Sequence, residues 1–260
     1  MRRLLTGLAV LLIAAGLGAL LYHPVTAWFQ ERRRAQEIQH FQQICQQAEA
    51  AHPAAGASPG SAFREETPDA LPFGELLQAM EDYNREIFRT GQKDLVDAWS
   101  YEKPVFDLDA YGVDSDLVGY LEIPAMEQRL PIYLGASQEN LDRGVAVLGQ
   151  TSMPIGGEDT NCVVAGHRGN GGEAIFREIQ RLQPGDPVYL TNLWRELTYR
   201  VESAQVIQPD DLSVLAIQEG EDRLTLISCY YQGQETLRYA VYCVRDGNAS
   251  LEKGGETICR

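Results

Sequence analysis

From Leu117 onward the chain breaks into short β-type runs, and this succession limits what it can fold into more than any other feature. Leu117–Ile123, Gln128–Leu134, Val145–Leu148, Asn161–Ala165, Pro187–Thr191, Glu196–Ile207, Leu224–Ser228 and Leu237–Val244 are eight such segments. They are rich in Val, Ile, Leu, Thr and Tyr, and most are separated by Gly, Pro, Asn or Asp. Closely spaced strands with turn chemistry between them predict an all-β barrel or sandwich. The last two carry the most chemistry. Arg223–Ser228 runs into Cys229, and Gln232-Gly233-Gln234-Glu235 turns the chain back toward Arg238 and Tyr239. The hairpin predicted here brings a thiol at the end of one strand to a guanidinium at the start of the next. Upstream, Cys162-Val-Val-Ala-Gly-His167-Arg-Gly169 offers an imidazole where another apolar strand runs out into glycines.

The remainder of the chain reads as appendages to that core. Leu4 to Tyr22 carries no charge and would span about 28 Å as a helix, enough for a membrane anchor. The competing reading is a cleaved signal peptide ending near Val25-Thr26-Ala27. Arginines flank the apolar run on both sides, so charge alone does not orient it. Residues 31–50 have helical composition, with Ile38, Phe41, Ile44 and Cys45 near helical spacing, and predict a juxtamembrane helix. Cys45 fits that stripe as a small apolar residue. Ala51 to Pro72 is rich in Ala, Gly, Ser and Pro and reads as a flexible spacer holding the domain away from the bilayer. Phe73 to Arg89 returns to helical spacing through Leu76, Leu77, Met80, Tyr83, Asn84 and Ile87, and Glu173 to Leu182 reads as a short helical insertion. The resulting division is 1–30 anchor, 31–72 juxtamembrane helix and linker, 73–116 N-terminal helix and candidate lid, 117–246 barrel and 247–260 polar tail.

With 22 basic against 37 acidic residues, the net charge of −15 argues against nucleic-acid binding. The five cysteines are odd in number and irregularly spaced, which does not suit a disulfide framework. A metal-binding reading would join Cys162, His167, Cys229 and Cys243. Structural zinc sites, however, usually show a close Cys-x₂₋₄-Cys pair, and none is present. Cys243 lies an odd number of positions from Arg238, and Cys162 from His167, so on regular strands both point away from the site. A papain-like hydrolase would place its nucleophile before its histidine, the reverse of the order here.

Thr225-Leu226-Ile227-Ser228-Cys229, Arg238 and Gly166-His167-Arg168-Gly169 together resemble the sortase family. The resemblance covers roughly residues 75 to 246. It is closest to the pilin-type, class C members through Val118–Pro124, Leu130-Pro131-Ile132-Tyr133 and Thr151–Gly157. It implies an eight-stranded sortase-type β-barrel with short helices, preceded by a transmembrane helix and a juxtamembrane helix. The implied activity is cysteine transpeptidation, with Cys229 as nucleophile, His167 as general acid and base, and Arg238 on the oxyanion or the substrate backbone. Asp97-Ala98-Trp99 is similar to the lid of pilin sortases, with Ala in place of their Pro. That makes Asp97 and Trp99 candidates to cover the thiol. The implied donor is a protein with an LPXTG-type sorting signal, and the acceptor is an amine of a pilin lysine or of a cell-wall precursor. No cofactor is implied. The catalytic domain would lie outside the cell membrane. Housekeeping anchoring to the cell wall, or a silent assembly scaffold on the same fold, are the alternatives. Residues 246–260 carry no apolar run, where many pilin sortases have a second membrane segment.

Overall fold

A computed structural model describes residues 2–51, 71–92, 105–169, 175–231 and 234–247, with backbone alone at several positions between 2 and 23 and around 230–236. The two N-terminal helices expected from composition form one continuous helix, α1 (Arg2–Ala51). Its second half lacks Gly and Pro, and Pro24, the one proline inside, does not end it. Among the described residues no helix is long and apolar enough to cross a membrane. The second half of α1 is docked rather than free. Ile38, Phe41 and Cys45 recur at helical spacing and are buried, with α1 packed on the first two barrel strands. Phe41 meets Tyr120 edge to face at 6.1 Å, a favourable aromatic geometry. Barrel and helix are therefore in contact ahead of the expected spacer, and residues 52–70 lie outside the described residues.

The helix α2 (Gly74–Thr90) follows, amphipathic, with Leu76, Leu77, Met80 and Asn84 buried. The strands are β1 (Leu117–Ile123), β2 (Gln128–Leu134), β3 (Val145–Val147), β4 (Thr160–Ala165), β5 (Pro187–Asn192), β6 (Glu196–Ile207), β7 (Asp222–Tyr231) and β8 (Gln234–Arg245). They close into a barrel in the order β1-β2-β3-β4-β7-β8-β6-β5. Closure leaves no open sheet edge. Two pairings, β2 with β3 and β4 with β7, are parallel, and the rest are antiparallel. A parallel pair needs a crossover. The one between β2 and β3 contains α3 (Gln138–Arg143), a six-residue helix. Within the helical insertion expected at 173–182, the described residues, from 175 on, form a turn and a 3-10 helix, Ile179–Arg181. Pro184-Gly185 follows too soon for a longer helix, yet Ile175, Phe176 and Ile179 are buried as an apolar face would be.

Strand residues alternate between two apolar clusters because successive side chains point to opposite faces. Cys162, Val164, Leu224, Leu226, Val241 and Cys243 join the main core. Val163, Ala165, Ile227 and Ala240 join a smaller cluster on the other face, with Leu141 of α3 and Val214 and Leu215 of the 3-10 helix Leu212–Leu215.

Candidate functional site

The site stands at the end of the strands that carry the smaller cluster. Cys229, near the end of β7, is the direct antiparallel partner of Arg238 on β8. Directly opposed residues share a face, so thiol and guanidinium project to the same side. Parallel to β7 runs β4, with Ala165 beside Ile227, and the ladder extends one step further as Gly166 N donates to Ile227 O at 3.1 Å. His167 lies two residues past Ala165 and Cys229 two past Ile227, so period-2 alternation keeps both on that face. A hairpin pair and a histidine far upstream in sequence thus stand on one face at neighbouring strand ends. Cys229 is partly exposed, while Cys45, Cys162 and Cys243 are buried.

The Gly-His step has a steric cause. A Cβ on Gly166 would fall 2.6 Å from the Phe176 ring, far inside contact distance. The same Phe176 donates its N–H to His167 O at 2.9 Å. Glycine lets the strand pass close under the aromatic ring, and the ring's own backbone then ties down the histidine.

The imidazole is held from α3. Ser137 caps this helix by accepting from Asn140 N, and Gly144 ends it. Gln138 and Asp142, four residues apart, lie on one face of the helix and both reach His167. Gln138 Nε2 is 3.1 Å from His167 Nε2 and also donates to Asp142 Oδ1 at 2.7 Å, and Asp142 Oδ1 lies 3.6 Å from the same imidazole nitrogen. A neutral imidazole with its proton on Nδ1 accepts from the Gln138 amide. An imidazolium, with a proton on Nε2, finds the Asp142 carboxylate on the same side. Each proton state therefore has a partner on one short helix.

Neither Gln138 nor Asp142 stood out in the sequence. The signal that could have found them is the cap, Ser137-Gln-Glu-Asn140, with Gln138 and Asp142 one turn apart behind it. Arg168, the neighbour of His167, acts as a loop brace: its Nη1 donates to Cys229 O at 3.4 Å, bridging the two strand ends. Asp97 and Trp99 lie outside the described residues.

Cys162 and Cys243 face the core, as their odd spacing from His167 and Arg238 predicts. Burial first, then Asp222, raises the Cys162 thiol pKa, and burial followed by Glu202 does the same at Cys243. Both stay protonated at neutral pH. The metal reading fails on the same ground, because its four residues divide between the two faces of the sheet. Among the described residues no group of three His, Cys, Asp or Glu is arranged to hold a metal ion.

A closed barrel with a thiol, an imidazole and a guanidinium at the ends of three neighbouring strands defines a class of cysteine transpeptidase. The sortase family model, a sortase domain, matches residues 121–246. The chain is 32% identical over 127 residues to Sortase D of Bacillus subtilis, a match covering 48% of this chain and 61% of that protein. The crystal structure of Streptococcus agalactiae sortase C1 in complex with MTSET is similar with a TM-score of 0.59 and 33% identity, over 67% of this chain and 88% of that one. Clostridium perfringens sortase C, solved with the C-terminal cell wall sorting motif, is similar with a TM-score of 0.60 and 28% identity, over 82% of this chain and 98% of that one. The chain belongs to the sortase family. Class C sortases are among the solved structures it resembles.

Proposed function

We propose that this chain is a membrane-anchored transpeptidase that cleaves an LPXTG-type sorting signal between Thr and Gly and joins the new carboxyl end to an amine. One observation carries this reading. Cys229 and Arg238 are cross-strand partners, His167 follows the strand beside them, and the other described cysteines are buried.

Cys229 attacks the threonine carbonyl as its thiolate, the competent sulfur nucleophile. Arg238, on the same face, donates to the carbonyl oxygen as charge gathers there. The C–N bond breaks, the departing amine takes a proton from His167, and a thioester remains on Cys229. The acceptor amine then attacks the thioester and gives a proton to His167. An amide forms, the C–S bond breaks and the thiolate returns. Water in place of the amine gives hydrolysis.

The resemblance to class C structures favours a pilin lysine as acceptor, and the Clostridium perfringens relative, solved with the C-terminal cell wall sorting motif, supports a sorting-signal donor. Housekeeping anchoring, with a cell-wall precursor amine as acceptor, is the second reading, favoured by the Sortase A relatives of Bacillus anthracis and Staphylococcus aureus. The anchor in this reading is the uncharged stretch 4–22, and the resemblance to sortases, rather than the flanking charge, puts the barrel on the outer side of the cell membrane. The resemblance to pilin sortases makes Asp97 and Trp99 the candidate lid; if Trp99 covers the thiol, Trp99→Ala should speed modification of Cys229, and an unchanged rate removes the lid from this reading.

The test uses the full chain in detergent, a quenched LPXTG-type peptide and an added amine, with products followed by mass spectrometry. A thioester and an amine adduct that disappear in Cys229→Ala support the reading. A silent wild type that stays silent in Trp99→Ala, against a panel of sorting motifs, overturns it in favour of an inactive scaffold.

A further inference from the structure

The helix that holds His167 is itself held by α1. At its start α3 is pinned by Asn140, whose Nδ2 donates to Leu134 O and Gly135 O at 3.1 and 3.0 Å. At its end Arg143 Nη2 donates to Glu37 Oε1 at 3.0 Å, reaching across 106 positions of sequence to α1. The pair is shielded, with side-chain exposures of 23% for Arg143 and 21% for Glu37. The Arg143 guanidinium lies 4.5 Å from the centre of the Tyr133 ring, and Tyr133 is fully buried. Glu139 and Arg33 are the other charges acting on this cluster. A shielded ion pair backed by a cation–π contact fixes a side chain far more firmly than an exposed pair does.

The residue before Arg143 is Asp142, and Gln138 lies one turn back, both reaching His167. In a six-residue helix there is little room to absorb a rotation between its last residue and these two. We infer that Glu37 and Arg143 are positioning residues for the reaction: by docking on the barrel, the membrane-proximal helix fixes α3, and α3 fixes the imidazole of His167. The inference rests on the transpeptidase reading for its effect on rate, though not for its effect on the imidazole. Turnover is then coupled to docking of α1. Ile38, Phe41 and Cys45 supply the apolar part of that contact and Glu37 the part that reaches the site.

The experiment uses the full chain in lipid nanodiscs, comparing wild type with Glu37→Gln, Glu37→Asp, Asp142→Asn and the double variant Glu37→Gln/Asp142→Asn. Three quantities are read: steady-state kinetics with a sorting peptide, the ¹⁵N imidazole signals of His167, and thermal stability. Glu37→Gln should lower kcat about tenfold with KM unchanged and move the His167 signals, and Glu37→Asp should recover part of both. The double variant should be little worse than Asp142→Asn alone, since both changes act through one helix. Glu37→Gln with a lower melting temperature but unmoved kcat and His167 signals would overturn the inference, as would full additivity in the double variant. If wild type proves inactive, the His167 signals decide the coupling alone: movement in Glu37→Gln upholds it, and stillness overturns it. Failure of the transpeptidase reading is thereby kept separate from failure of this one.

Discussion

The two faces of β4, β7 and β8 are built from the same strands and serve opposite ends. On the inner face Cys162, Leu224 and Cys243 sit in register across three strands, and both cysteines belong to the main core at 2% and 0% exposure. On the outer face Ala165, Ile227 and Ala240 pack under α3 and the Leu212–Leu215 turn, and that face continues past the packed region into His167, Cys229 and Arg238. A thiol in the first setting is a small apolar side chain, while one in the second is available to react. Reactivity here is a matter of which face a cysteine occupies and how far along the strand it stands. Residue type decides neither.

The largest effect should come from removing the outer thiol. Cys229→Ala is expected to lower transpeptidation on the order of 10³-fold or more, measured by amine-adduct formation, with the fold intact by circular dichroism. Activity surviving in that variant would end the contrast between the faces. Labelling sharpens the same contrast in the native chain. With Cys259, the one cysteine outside the described residues, replaced by Ser, a small thiol reagent should modify Cys229 roughly 100-fold faster than Cys162 or Cys243, which should react only as the protein unfolds. Comparable rates at Cys162 would mean the barrel opens on its own.

Gly166→Ala attacks the boundary between the faces. Its added Cβ meets the Phe176 ring, so the expected cost is about 1–3 kcal/mol in denaturant unfolding, with a fall in kcat as His167 is displaced. Unchanged stability would show that the ring moves aside freely. The smallest effect belongs to the inner face. Cys243→Ala leaves a small cavity and should cost about 1 kcal/mol while kcat stays within a few-fold of wild type. A large loss of activity there would show that the core thiol does more than pack.

Much of the barrel was legible beforehand. Leu117–Ile123, Gln128–Leu134 and Glu196–Ile207 match the observed strands end to end, and the other five differ only at their ends. Strand pattern and turn residues are local, so each run announced itself without its neighbours. The face of each cysteine was legible for the same reason, because period-2 alternation needs only a count from Arg238 or His167. The Cys229–Arg238 pairing follows from a short hairpin. What escaped was short or non-local. At six residues α3 carries too little periodicity to stand out, and its cap is a weak signal. The stripe Ile38, Phe41 and Cys45 marked a helix with a buried side but not what buries it.

By itself, then, the sequence determined the strands, their faces, the thiol–guanidinium hairpin and the Gly-His strand end, each a property of residues within a turn or two of one another. Only the tertiary structure decided that β4 lies parallel beside β7, which brings His167 to Cys229. It alone set α3 over the imidazole and α1 against the barrel, with Glu37 on Arg143. Those contacts join residues 29 and 106 positions apart. Such contacts form when a closing barrel and a docking helix bury apolar surface together, and neither partner carries a local pattern that names the other.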